Sequence, residues 1–286
     1  MTPLRQSMLD AMLQRGFAER TRRSYVEAIA RMALYYARDP AGYTPEEVRA
    51  YLLHLVKDRK LSFSTVNQAA SAARFLYERV LGRDAAQFPI PMARAPQVQP
   101  VLLGRAEIAQ LFAACSHPMH RMLLQTTYAA GLRLGEVCEL RVSDIDSQSD
   151  RMCVRITQGK GGRDRYSVLG TTLLAKLRHY ARECRPRKWL FANAGASAPV
   201  SVATAQRAYH AARQRAGITK SGGIHTLRHC FATHLLEGGV DLYTISKLLG
   251  HGHISTTARY LHLISPQFRA PKDIDPLDLL AGLPSL

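Results

Sequence analysis

Six side chains between residues 133 and 260 are of types that can act on a phosphate ester. In chain order they are Arg133, Lys160, His225, Arg228, His251 and Tyr260. Arginine forks bind the oxygens of a phosphoryl transition state, where negative charge gathers. A tyrosine hydroxyl, with an ordinary pKa of about 10, needs a base and a cationic setting before it can attack phosphorus. Together these residue types could transfer a phosphoryl group to a tyrosine.

The spacing of several of these residues suits a phosphate site. Lys160 lies between glycines, which let the backbone come close to a ligand. His225 and Arg228 are one turn apart at a predicted helix start, where free amides and the helix dipole favour an anion. His251 stands in a Leu-Gly-His turn, and Tyr260 follows nine residues later in a short predicted helix. The pattern favours phosphate chemistry.

Taken singly, each residue also has an ordinary structural explanation. Arg133, after the Gly131 break, would usually be a surface or helix-end charge, and Lys160 an exposed hairpin lysine. A tyrosine such as Tyr260 usually packs its ring and hydrogen-bonds its hydroxyl. A Walker phosphate loop around Lys160 is excluded, because the required glycine and Ser/Thr spacing is absent. Only the combination favours catalysis.

A zinc site is the alternative for the histidine-rich segment. His225, His229 and His234 recur near helical spacing, beside Cys230. A zincin would need a glutamate where Thr226 stands, and an arginine among the ligands would repel the cation. Because no acidic cluster accompanies the motifs to hold Mg²⁺, we expect a metal-independent reaction without a cofactor.

The elements that must position these side chains are mostly helices. Apolar periodicity predicts helices over residues 20–38 and 64–81, and Thr44, Pro45 and Glu47 form the capping signature of another. Further helical patterns cover 106–115, 121–130, 171–183, 202–216, 226–236, 242–249 and 255–262. Residues 152–156 and 165–169 have strand character. The predicted fold class is mainly α with a small antiparallel β-sheet (α+β).

Four prolines between residues 87 and 100 divide the chain. We expect an N-terminal helical domain at 1–86, a linker at 87–100, a second domain at 101–265 and a tail at 266–286. The tail combines three aspartates with leucines and has an amphipathic character. It could fold back on its own domain or dock on a neighbouring subunit, and the sequence favours neither arrangement.

Composition narrows the class of partner. The chain has 39 basic and 22 acidic side chains, a net charge of +17, and the surplus is spread over both halves. Such an excess of positive charge favours a polyanionic partner, above all nucleic acid. The alternative is that the lysines and arginines are simply solvated at the surface. Five cysteines without a CxxC pair indicate reduced thiols and a cytoplasmic protein. Neither a signal peptide nor a membrane span is expected.

The ordered set from Arg133 to Tyr260 closely resembles the tyrosine recombinase (phage integrase) family, of the Xer and integron-integrase type. The resemblance covers essentially the whole chain: residues 1–82 look like the family's SAM-like core-binding bundle and residues 101–265 like its catalytic domain. It implies that Tyr260 attacks a DNA phosphate, leaving a 3′-phosphotyrosyl link and a free 5′-hydroxyl without ATP.

Roles for the other residues follow from this resemblance and from their chemistry. Arg133 and Arg228 would bind the phosphate oxygens, and His251 would donate a hydrogen bond to it. His225 would serve as the base, and Lys160 as the acid that protonates the leaving 5′-oxygen. Glu136 would orient a neighbour, although an ordinary helix-surface glutamate is nearly as good an explanation.

The resemblance further implies double-stranded DNA as partner and a homo-oligomer, a dimer on one site and a tetramer in synapsis. Among the recombinases, a mobile-element integrase is favoured over a chromosome-dimer resolvase or an integron integrase. Two alternatives remain: a type IB topoisomerase-like enzyme that nicks one duplex, and a non-catalytic DNA-binding protein.

Overall fold

The computed structural model describes residues 2–94, 99–157 and 164–263, and the chain divides into two compact units, residues 1–98 and 99–286. Lys160 and the tail from residue 266 onwards lie outside the described residues. None of the described helices is long and apolar enough to cross a membrane.

The first unit is a helical bundle: α1 (Pro3–Gln14), α2 (Glu19–Tyr36), α3 (Pro45–Lys57) and α4 (Phe63–Arg74), which continues as a π-helix (Phe75–Val80). The predicted capping signature is a true capping box: Thr44 Oγ1 accepts from the Glu47 amide, and Glu47 accepts from the Thr44 amide at 2.8 Å. The sequence did not predict α1, which buries only Met8 and Met12.

The second unit holds eight α-helices among the described residues and a final 3-10 helix (Arg259–Leu263). The α-helices are α5 (Arg105–Ala113), α6 (Pro118–Ala129), α7 (Leu134–Cys138), α8 (Thr171–Cys184), α9 (Val202–Arg215), α10 (His225–Glu237), α11 (Leu242–Leu249) and α12 (Ser255–Ala258). The predicted mainly helical fold class is confirmed.

A small antiparallel sheet accompanies these helices, in the order β1 (Ile145–Asp146), β2 (Cys153–Ile156) and β3 (Arg165–Val168). Val154 pairs with Ser167, so both point to the buried face. The sequence predicted β2 and β3 to within a residue or two. It missed β1, because two residues are too short to show a period-two pattern.

Helix α10 is the central element of the second unit. Leu227 and Cys230 are fully buried in its main core. Phe231 and Ala232 face a second cluster, which also contains Tyr260. The helix therefore contributes to two apolar clusters, and its first turn carries the predicted His225 and Arg228.

Candidate active site

Three arginines converge on the C-terminal end of α11. The last carbonyls of a helix have no partner within it and form the negative end of its dipole. Three successive carbonyl oxygens each accept a hydrogen bond from a different guanidinium: Leu248 from Arg165 Nε (3.1 Å), Leu249 from Arg228 Nη2 (2.6 Å) and Gly250 from Arg133 Nη2 (3.1 Å). The helix end thus fixes one side of each guanidinium. We call these three arginines the arginine cluster.

Glu136, on α7, supplies the negative charge at the centre of the arginine cluster. Its carboxylate accepts two hydrogen bonds from Arg165, at 2.5 and 2.7 Å, and one from Arg133 Nη1 at 2.7 Å. Arg228 Nη1 lies 3.8 Å from the same carboxylate. Burial alone would raise the pKa of Glu136, but the hydrogen bonds and charges of Arg165 and Arg133 hold it at about 2. Glu136 is therefore ionised at neutral pH.

Arg228 is the most buried member of the cluster, at 4% exposure. Its Nη1 donates to the Gly131 carbonyl at 2.7 Å, in the turn between α6 and α7. Burial and the charge of Arg133 lower the pKa of Arg228, and Glu136 opposes them. A guanidinium still stays protonated at neutral pH, so the cluster of three arginines and one carboxylate keeps a positive charge. Such a cluster suits an anion.

Two glycine turns bring the arginines together. Gly131 has a φ of +59°, and a Cβ there would lie 2.4 Å from the Phe231 ring. Gly250 ends α11 with a φ of +63°, and a Cβ there would lie 2.4 Å from Arg165 Cδ. Both positions need a left-handed backbone and close packing, which only glycine allows without strain.

His251 is joined to the cluster through Arg228. Its Nε2 lies 3.3 Å from Arg228 Nη2, and its Nδ1 lies 2.7 Å from Thr257 Oγ1. Burial, followed by the charge of Arg228, lowers its pKa to about 4, so the ring is neutral at neutral pH. Because arginine only donates, Nε2 accepts here and Nδ1–H donates to Thr257. Donation from Nε2 to a phosphate would require this nitrogen to take up a proton.

Tyr260 lies in the 3-10 helix after α12 and is 2% exposed. Its hydroxyl lies 2.9 Å from His229 Nδ1. Burial raises the pKa of Tyr260, while the charges of Arg228, Arg259 and Arg133 act against this rise. The hydroxyl is therefore protonated at neutral pH and lies within the electrostatic field of two members of the arginine cluster.

His225 opens α10 one turn before His229 and is exposed. Partial desolvation and the charges of Arg228 and Arg133 lower its pKa, so its ring is neutral at neutral pH. Among the described residues, the hydrogen-bond partner of the Tyr260 hydroxyl is His229 and not His225.

The histidines of α10 do not form a metal site in the described part of the chain. No group of three or more His, Cys, Asp or Glu residues there is placed to hold a metal ion. His229 and His234 are each hydrogen-bonded to a tyrosine hydroxyl instead, of Tyr260 and Tyr128 respectively. The helical spacing that suggested zinc thus reflects two His–Tyr pairs.

Comparison with known proteins decides the family. Residues 102–265 match the model of the phage integrase family, and residues 4–87 match the phage integrase N-terminal SAM-like domain. The chain belongs to the phage integrase family. These are the tyrosine recombinases, DNA strand-cleaving and rejoining enzymes.

Curated members of the family align with most of the chain. A putative integrase/recombinase, y4qK of Sinorhizobium fredii, is 37% identical and covers 98% of this chain and 90% of its own length. The tyrosine recombinase XerC of Anoxybacillus flavithermus is 31% identical, over 78% of this chain and 79% of its own. A lambda integrase tetramer bound to a Holliday junction shares the fold, with a TM-score of 0.73, 19% identity, and 94% and 78% coverage.

The structure brings most of the predicted residues of this family member together. Arg133, Arg228, Glu136, His251 and Tyr260 meet around α10 and the end of α11, and His225 lies at the start of α10. Their catalytic roles stay predictions, as does that of Lys160, which lies outside the described residues.

Sequence reasoning missed two residues of this site. Arg165 occupies the same side of β3 as the buried Ser167, and an arginine on the inward side of a strand is a usable sign of a buried ion pair. His229 lies four residues after His225, and the sequence suggests for it only the zinc alternative. Nothing local in the sequence linked it to Tyr260, 31 residues later.

Proposed function

We propose that this chain is a site-specific recombinase that cleaves and rejoins DNA with Tyr260 as the nucleophile. The hydroxyl attacks the scissile phosphorus, the tyrosine oxygen becomes bonded to the 3′-phosphate, and the 5′-oxygen leaves with a proton. The reverse attack by a 5′-hydroxyl rejoins the strand, so the phosphodiester energy is conserved without ATP.

One observation carries this proposal: the arginine cluster and the Tyr260 hydroxyl share one site. Arg133 and Arg228 are each anchored on one side by the end of α11. Their charges act on the tyrosine hydroxyl, which favours the oxyanion that attacks. Arginines fixed before the reaction can stabilise the transition-state oxygens without reorganising.

The remaining steps involve proton transfers. We assign His225 as the base that accepts the tyrosine proton, since its ring is neutral at neutral pH and the residue is exposed at the start of α10. Lys160 is assigned as the acid for the 5′-oxygen. His251 would donate to the phosphate after taking up a proton.

DNA and further copies of the chain are the partners we assign. The net charge of +17 favours a phosphate backbone, and the lambda integrase of similar fold was solved as a tetramer on a Holliday junction. We propose a DNA-binding domain at residues 1–86, a linker at 87–100 and a catalytic domain at 101–265. The name of the Sinorhizobium relative supports a mobile-element integrase.

A covalent trapping experiment tests the function. The protein and its Tyr260→Phe variant are incubated in EDTA with nicked duplexes that carry candidate sites from the genomic neighbourhood. A covalent complex on a denaturing gel, formed by the wild type alone, is the expected result. Specific DNA binding without any covalent complex would instead favour a non-catalytic DNA-binding protein. Relaxation of supercoiled DNA that lacks a specific site would favour the topoisomerase alternative.

A further inference from the structure

The Tyr260 hydroxyl has a hydrogen-bond partner that the reaction scheme above does not use. His229 Nδ1 lies 2.9 Å from the hydroxyl, and the two ring centroids are 5.7 Å apart. In the sequence His229 directly follows Arg228, whose guanidinium belongs to the arginine cluster. One turn of α10 therefore supports both a proposed phosphate ligand and the proposed nucleophile.

The protonation states of the pair suit a hydrogen bond donated by the tyrosine. Burial, followed by the charges of His225 and Arg228, lowers the pKa of His229 to about 4. The imidazole is therefore neutral at neutral pH. A neutral ring with its proton on Nε2 accepts at Nδ1. The hydroxyl keeps its proton because burial raises the pKa of Tyr260.

Packing and this hydrogen bond restrain different degrees of freedom of Tyr260. Its ring is held in the apolar cluster with Phe231, Ile245 and Leu249, and the residue is 2% exposed. Packing fixes the plane of the ring but not the direction of the O–H bond. His229 supplies the directional contact, which sets where the oxygen lone pairs point.

A second His–Tyr pair on α10 offers a built-in control. Tyr128 hydroxyl lies 2.9 Å from His234 Nδ1, and burial also lowers the pKa of His234. The two pairs share their chemistry and their distance. They differ in surroundings, because Tyr128 lies in the field of Arg105 and Glu237, whereas Tyr260 lies in that of the arginine cluster. Of the two pairs, only His229–Tyr260 combines the proposed nucleophile with an anion site.

We propose that His229 is a positioning residue for the nucleophile: its Nδ1 accepts a hydrogen bond from the Tyr260 hydroxyl and holds the oxygen beside the arginine cluster before attack. This role rests on the function proposed above. The hydrogen bond would speed the reaction by orienting the hydroxyl. A hydroxyl that is held in one orientation before attack loses less entropy on the way to the transition state. The base that finally removes the proton is a separate assignment.

Three variants separate positioning from mere stability. His229→Phe removes the acceptor, His229→Asn places an amide close to the position of Nδ1, and His234→Phe breaks the control pair. The measurement is single-turnover covalent trapping at saturating DNA, on the nicked duplex that the wild type traps. We expect His229→Phe to cleave about tenfold more slowly, the value of one aligned hydrogen bond, with unchanged DNA affinity. His229→Asn should recover most of this rate, and His234→Phe should match the wild type.

A modified leaving group locates the defect in the reaction. In a duplex with a 5′-bridging sulfur at the scissile phosphate, the thiolate leaves without needing a proton, because a thiol is far more acidic than an alcohol. The His229→Phe defect should persist on this substrate. A Lys160→Ala defect should disappear on it, if Lys160 is the acid.

A spectroscopic readout reports the contact without DNA. In protein labelled with 3-fluorotyrosine, the ¹⁹F signal absent from Tyr260→Phe belongs to Tyr260. His229→Phe should shift this signal, His229→Asn should shift it less, and His234→Phe should leave it unchanged.

Several results would overturn the role of His229. These are cleavage by His229→Phe at the wild-type rate or faster, equal loss in His229→Phe and His229→Asn, or an unshifted Tyr260 signal. A wild-type protein that traps no DNA would refute the proposed function and this role together. Trapping by wild type and His229→Phe at equal rates would refute this role alone.

Discussion

At the scale of single residues, the site depends on the balance between Glu136 and three arginines. Arg133 and Arg165 contact its carboxylate at 2.7 and 2.5 Å, and Arg228 lies 3.8 Å away. The carboxylate offsets the repulsion between the guanidinium groups but leaves the cluster positive. A DNA phosphate would supply further negative charge. The charge balance in this cluster therefore affects both the binding of DNA and the stability of the fold.

Replacing Glu136 by glutamine tests this balance. Glu136→Gln keeps the shape of the side chain but leaves buried arginines without their counter-charge, so we expect a loss of about 3 kcal/mol in the free energy of unfolding. We also expect a cleavage rate at least about tenfold lower, since the arginines lose their alignment. Urea unfolding and covalent trapping measure the two effects. Glu139→Gln, at the exposed end of α7, is the matched control and should change neither.

At the scale of elements, the end of α11 organises the site. Its last two carbonyls and that of Gly250, which caps it, accept hydrogen bonds from three arginines that come from β3, α10 and the turn before α7. The left-handed Gly250 ends the helix there and lets Arg165 pass close to the backbone. A substitution at this turn should therefore reduce catalysis by displacing the arginines, although the arginines themselves are not substituted.

Gly250→Ala tests the turn at the end of α11. The added Cβ would lie 2.4 Å from Arg165 Cδ, so the arginine has to move. We expect cleavage to fall at least about tenfold, with a loss of roughly 1–2 kcal/mol in stability from the left-handed backbone alone. Gly217→Ala is the control, because Gly217 has a φ of +67° and nothing within 4 Å of an added Cβ. If both variants lost cleavage equally, backbone strain and not the arginine contact would be responsible.

At the scale of the whole molecule, the partly buried neutral histidines make folding depend on pH. The pKa values of His229 and His251 are about 4 in the folded chain. Unfolded histidine has a pKa of about 6.5, so the unfolded chain binds more protons between these values. Stability is complete above the unfolded pKa and is lost as the pH falls towards 4. Glu136, with a pKa of about 2, adds a further loss only below about 4.5.

Thermal unfolding at a series of pH values checks this dependence. We expect the Tm to fall between about pH 7 and pH 4.5, because protons bind preferentially to the unfolded chain. His229→Phe should show a smaller fall over this range, since one of the titrating rings is gone. A parallel pH dependence in wild type and variant would show that His229 is not one of the groups responsible.

Assembly supplies a further prediction at this scale. Docking on a neighbouring subunit is one of the two arrangements that the sequence leaves open for the acidic, leucine-containing tail within residues 266–286. Deletion of residues 273–286 should then leave covalent trapping on a single site intact but weaken the synaptic complex, as seen by native gels and by recombination yield. Full recombination by the truncated chain would show that the tail is not needed between subunits.

The sequence by itself determined the family, the helical character of the chain and the order of the reactive residues. Helical periodicity, the capping box at Thr44 and the motif around His225 are local signals, set by residues within a few positions of each other. Such local signals can be recognised in the sequence without knowledge of the fold. For that reason the helices carrying Arg228 and Tyr260 could be predicted to within a few residues.

Only the tertiary structure decided which of these residues meet. Arg133 and the carbonyl of Gly250 are 117 positions apart, and Tyr260 and His229 are 31 apart. Contacts of this kind depend on how helix faces pack, and packing is decided by the burial of many side chains at once. The same reason explains the missed role of Arg165: its partner Glu136 lies 29 positions earlier, and only the packing of β3 against α11 brings its guanidinium to the helix end.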